Sequence, residues 1–107
     1  MSVAASGTQT ATPGTEHDLA TSITTAGAYV LVVDANALAS GESVTIRGYE
    51  KVLSGGTQRK MWQYAMSWPV TVPIMQSPAF NLEIDGKVTL QQDGGSSRSF
   101  PWSLRKL

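Results

Sequence analysis

The sequence predicts an all-β domain: an antiparallel β-sandwich or barrel-like fold of about seven to eight strands with a long hairpin and an extended N-terminal arm. Three observations predict it. Phe100, Trp102 and Leu104 alternate with Ser99, Pro101, Ser103 and Arg105, the two-residue period of a half-buried strand. Turn signals recur at Ala26-Gly27, Ser54-Gly55-Gly56-Thr57, Asp85-Gly86 and Asp93-Gly94-Gly95-Ser96. No stretch carries the sustained apolar stripe of a helix.

The division expected is a flexible arm over 1–15 and a single β domain over 16–107. Residues 1–15 are mostly Ser, Ala, Thr and Gly with Pro13, and nothing there is large enough to anchor a core. Leu19, Thr21 and Ile23 then alternate with Asp18, Ala20 and Ser22. Ala28 to Val33 is wholly apolar and reads as a strand buried on both faces. Asp34 to Gly41 is a loop, with one helical turn at Ala35 to Ala39. Ser43 to Leu53 and Gln58 to Trp68 form the long hairpin, about 11 residues a side and roughly 35 Å in length. Val44, Ile46 and Val52 are its inward candidates. Trp62, Tyr64, Met66 and Trp68 share one face of the return strand.

Pro69 and Pro73 confine Val70 to Met75 to an edge or connector. Ala79 to Ile84 and Lys87 to Gln92 pair through an Asp85-Gly86 turn. The 93–96 loop closes the next hairpin onto the final strand. A Phe and a Trp so near residue 107 imply a docked C-terminus.

At 107 residues the chain can bury roughly two thirds of its unfolded surface, enough for one core. Eight basic and eight acidic residues leave no net charge, so no long-range pull draws it to nucleic acid or an anionic membrane. With charged residues at only 15%, such a surface tends to associate. There is no cysteine for a thiolate metal site or a nucleophile. The longest apolar run is too short to span a bilayer, and the first residues do not read as a secretion signal.

Chemistry-bearing motifs are sparse. His17 is the only histidine, and its neighbours Glu16 and Asp18 point to the opposite strand face. The 54–60 segment is superficially like a phosphate loop, but it lacks the spacing and leads into a strand. No nucleophile elbow exists. These features predict no enzyme, no cofactor, no metal and no small-molecule substrate. Arg59, Lys60, Arg98, Arg105 and Lys106 are candidates for a basic patch. Glu42, Glu50, Glu83 and Asp93 stand ready as their cross-strand partners. The aromatic row Trp62, Tyr64 and Trp68 fits a core face, a subunit interface or a sugar-stacking surface.

Three stretches carry a resemblance covering most of residues 15–107. The first is Thr15 to Thr21 followed by Ala26 to Asp34. The second is Glu50 to Thr57. The third is Gly94 to Leu107, with Arg98-Ser99-Phe100-Pro101-Trp102-Ser103-Leu104-Arg105 as a closing strand. Together they resemble a family of small virion proteins of tailed bacteriophages and related prophages. The resemblance implies a capsid decoration, or cement, protein. Such a protein is made in the bacterial cytoplasm and sits on the capsid surface, bridging capsid subunits. Its partners are the major capsid protein and copies of itself, with a trimer as one form, and not nucleic acid or membrane. A tail-tube or head–tail connector subunit is the competing reading, and a sugar-binding attachment module a third. Candidate contact residues are Thr10, Thr12 and Pro13 on the arm, Ser54, Gly55, Gly56 and Thr57 at the hairpin tip, and Trp62, Tyr64 and Trp68.

Overall fold

The computed structural model describes residues 1–107 as nine strands and no helix. They are β1 (Ser2–Thr10), β2 (Glu16–Ile23), β3 (Gly27–Asp34), β4 (Ser43–Glu50), β5 (Arg59–Ser67), β6 (Ile74–Gln76), β7 (Phe80–Leu82), β8 (Gly86–Asp93) and β9 (Ser99–Lys106). One sheet runs β1-β9-β3-β6, with β7 also on β3, and the other runs β2-β8-β4-β5. All pairings are antiparallel, and the two open sheets form a sandwich rather than a closed barrel.

The core lies between the sheets. Tyr29, Leu31 and Val33 of β3 and Phe100 and Leu104 of β9 face Val44 and Ile46 of β4 and Val88 and Leu90 of β8. Met75, Phe80 and Leu82 close one flank, and Ala11, Ala35 and Leu38 reach in from loops. Strand β3 is buried on both faces, since Val30 and Val32 on its outer side are also covered. That agrees with its unbroken apolar run. Alternation in β9 also holds: Phe100 and Leu104 are buried while Pro101 is exposed.

Five local expectations are corrected. Residues 2–10 are not a free arm but β1, paired along its length with β9 from Ser2↔Lys106 to Thr10↔Ser99. Small side chains suffice because the ladder supplies main-chain hydrogen bonds, and the Trp102 indole lies over Gly7. The 35–39 segment makes a turn, not a helical one: the Asp34 carboxylate accepts the Asn36 N–H at 3.0 Å, and Leu38 donates to Ala35.

The Asp85-Gly86 turn exists, with Asp85 at φ 51°, but it joins strands of different sheets. So does the 93–96 loop. Turn chemistry is local, whereas pairing follows the face each strand must bury. Only β4–β5 is a sequential hydrogen-bonded hairpin, and its strands of eight and nine residues are shorter than expected.

The prolines act as the sequence suggests. β6 and β7 form one interrupted edge along β3, broken at Ser77-Pro78. Pro78 has no N–H to continue the ladder. The Ser77 hydroxyl accepts the Leu31 N–H at 2.9 Å, and the Ser77 N–H returns to the Leu31 carbonyl.

Candidate interaction surface

Three local constellations organise the surface, and each grows from a few residues. The first is a polar clamp at one end of the sandwich. Glu42 precedes β4, and its side chain is almost wholly covered. Its carboxylate accepts the Ala39 N–H (2.9 Å), the Ser96 N–H (3.2 Å) and a two-pronged Arg98 guanidinium (3.0 Å). Gly95 allows the approach: a Cβ there would lie 2.1 Å from the carboxylate, and its φ of 71° suits glycine. Buried Gln92 finishes the loop, donating to the Gly94 and Ser96 carbonyls and accepting the Arg98 N–H. Of the basic patch expected from sequence, Arg98 is therefore committed to Glu42. The rest is divided between sheets, with Arg59 and Lys60 on β5 and Arg105 and Lys106 on β9.

The Arg98 hydrogen bonds, then the Ala39 amide, hold the Glu42 carboxyl at about 2, against an ordinary 4.5. Its folded-state value is depressed, so its stabilisation is fully present above pH 4.5 and drains away as pH falls towards 2. Urea titrations from pH 7 to pH 2.5 are expected to show the native midpoint falling below pH 4.5. Glu42→Gln should be less stable at pH 7 and lack that component; parallel profiles for the two proteins would refute the assignment.

The second constellation covers the outer face of the β2-β8-β4-β5 sheet. Glu16 accepts from the Thr89 hydroxyl (2.5 Å) and the Tyr49 hydroxyl (2.6 Å), with Arg47 3.8 Å away. Burial pushes the Glu16 carboxyl up, but these hydrogen bonds and Arg47 outweigh it and the net direction is down. Burial and then Glu16 push the Tyr49 phenol up. Lys87 lies over the Tyr49 ring and pairs with Asp18 at 3.6 Å. This is a cross-strand lattice of satisfied groups. His17 points the other way and accepts the Thr12 N–H at 2.9 Å, closing the β1–β2 turn. No three His, Asp or Glu side chains converge as a metal site.

The third constellation gathers the residues expected from the sequence to make contacts. Thr10 ends β1 with its hydroxyl 3.1 Å from that of Ser99. Thr12 and Pro13 lie in the β1–β2 turn, pinned by the Gly14 N–H on the Gln92 carbonyl. These three are parts of the body, not of a mobile arm. Ser54, Gly55, Gly56 and Thr57 are exposed at the β4–β5 tip, with Gly55 at φ 82°. Beside them, Val52 is 88% exposed and Leu53 71%, which corrects the inward reading of Val52. The β4 ladder ends at Glu50, so alternation beyond it no longer maps to the core. The signal missed was two adjacent large apolar residues directly before a glycine turn.

The aromatic row divides. Trp62 packs against the core, 5.1 Å from the Phe80 ring and directly over Gly48. Tyr64 and Trp68 on the same strand side are 43% and 48% exposed. Sheet β1-β9-β3-β6 ends in short edge strands and leaves that part of β5 uncovered. Val72 and Ile74 add exposed apolar side chains where the chain leaves β5 for β6. The surface offers exposed apolar side chains and open sheet edges. No protein-family model, no curated protein and no solved structure matches the chain.

Proposed function

We propose that the chain is a structural protein of a tailed-phage particle: a capsid decoration protein that binds where neighbouring head subunits meet. The observation that carries it is the projecting β4–β5 tip with Val52 and Leu53 in solvent, beside the Ser54–Thr57 turn. Large apolar side chains held in solvent on the loop that closes β4–β5 favour burial against a partner. The likeness of the 15–21, 26–34, 50–57 and 94–107 stretches to small virion proteins supports the same reading. Bridging sites found only in the assembled shell would stabilise that shell by mass action.

A second reading, a tail-tube or connector subunit, is favoured by the open edge of β5, which a neighbour in a ring could pair. The two separate in fractionated particles. A decoration protein is present in stoichiometric amount on purified heads and absent from tails, whereas recovery with tails alone would select the second reading. Replacing Val52 and Leu53 by aspartate is expected to weaken attachment to heads stripped of this chain by roughly tenfold or more without lowering the melting temperature. Unchanged binding would remove the tip from the interface.

A further inference from the structure

The two sheets have four edges, and they are not alike. A sheet edge left open invites another strand, and proteins that avoid this use charges, prolines, bulges or short strands. β2 is protected by Glu16 and Asp18, by two breaks in its register with β8, and by Ser22 at φ 53°. β6 and β7 are three residues each, and Pro73 and Pro78 flank β6. β1 is the least protected: nine residues, no charge and no proline, with one register break between Val3 and Ala5 and an unbroken ladder from Ala5 to Thr10. β5 is nine residues long; past Arg59, Lys60 and a register break at Met61 it runs uncharged and in unbroken register from Trp62 to Ser67.

These two open edges belong to different sheets and lie on opposite flanks. β1 is the end strand beyond β9, whereas β5 lies on the flank where Trp62 meets Phe80 of β7. Their side chains are complementary in size. From Ala4 to Thr8 β1 carries only Ala, Ser, Gly and Thr, and β5 presents Met61 and Tyr64, both well exposed. Small residues opposite large ones pack closely across a ladder. The absence of net charge removes repulsion between copies.

We propose that β1 of one copy hydrogen-bonds to β5 of the next, in a head-to-tail contact that repeats from copy to copy. A two-fold β1–β1 contact would leave β5 open, whereas the head-to-tail contact uses both open edges of every copy. The proposal deepens the virion reading and rests on it for a setting rich in copies. Its test uses the purified chain in solution, so its failure leaves attachment to heads untouched.

The test is a complementation of two edge-blocked variants. Ser6→Lys with Thr8→Lys blocks β1, and Ala65→Lys with Ser67→Lys blocks β5; all four positions are exposed. Circular dichroism and melting temperature verify that each variant folds. Sedimentation velocity of the native chain is expected to show a multiple of the monomer mass that grows with concentration. Each blocked variant alone should be monomeric. An equimolar mixture should give a dimer and nothing larger, since one good edge of each kind remains. A native chain that stays monomeric, a β5-blocked variant that still self-associates, or a mixture without dimer would each overturn the proposal.

Discussion

Replacement of Phe100 by alanine is expected to remove about 3–5 kcal/mol of folding free energy, the usual cost of emptying a buried phenylalanine site. Phe100 is fully buried on β9, which pairs with β1 on one side and β3 on the other. The backbone there is held by the β1 ladder at Gln9↔Phe100, and by the β3 ladder from Trp102 onward, which limits collapse into the space. Domains of this size are stable by only about 5–15 kcal/mol. The melting temperature should therefore fall by roughly 15–30 °C. Pro101→Ala is the control: its side chain is exposed next door, and the change should stay within about 0.5 kcal/mol. Equal shifts for the two variants would show that β9 is not a core strand.

Gly48→Ala is expected to cost about 2–4 kcal/mol, far more than an ordinary added methyl group, because no space exists for it. A Cβ at residue 48 would lie 2.1 Å from Trp62 Nε1 and 2.4 Å from Cε2. The indole covers the bare backbone of the opposite strand, a cross-strand filling of a glycine by an aromatic ring. Its Nε1–H has no hydrogen-bond partner there, so packing alone holds the ring. An alanine would lever Trp62 off Phe80. Urea unfolding of a double-mutant cycle with Trp62→Leu checks this. The Gly48→Ala penalty should shrink by more than 1 kcal/mol in that background. A penalty independent of residue 62 would mean that the glycine serves its own backbone.

Wherever large apolar residues alternate, the fold was legible in the sequence. Phe100 and Leu104, the Ala28–Val33 run, and the hairpin around Gly55-Gly56 were all identified from residue pattern. β1 was not, because Ser-Val-Ala-Ala-Ser-Gly-Thr-Gln-Thr has no strand propensity strong enough to stand out. It is a strand only because β9 offers a ladder and Trp102 needs a flat surface such as Gly7. Likewise Asp85-Gly86 was read correctly as a turn but given the wrong partner strand. Positive φ is a local property; the choice between two sheets is settled by distant packing. At the contact surface, the Ser54–Thr57 tip was legible, whereas Val52 was turned outward by the end of the ladder at Glu50. The Glu42 clamp was hidden because its ligands come from residues 39, 96 and 98, brought together only by the finished sandwich.

The position of β9 has a consequence for how the chain is made. It is the last of the nine strands to leave the ribosome, yet it is an inner strand of its sheet, between β1 and β3. Until it emerges, β1 has nothing to pair with and β3 lacks its long neighbour. The β2-β8-β4-β5 sheet can assemble first, but half of the sandwich must wait for β9. Through that interval β1 is a nascent, uncharged segment with both sides unpaired. Synthesis on crowded polysomes is therefore the stage at which this chain is most exposed to pairing with the wrong copy.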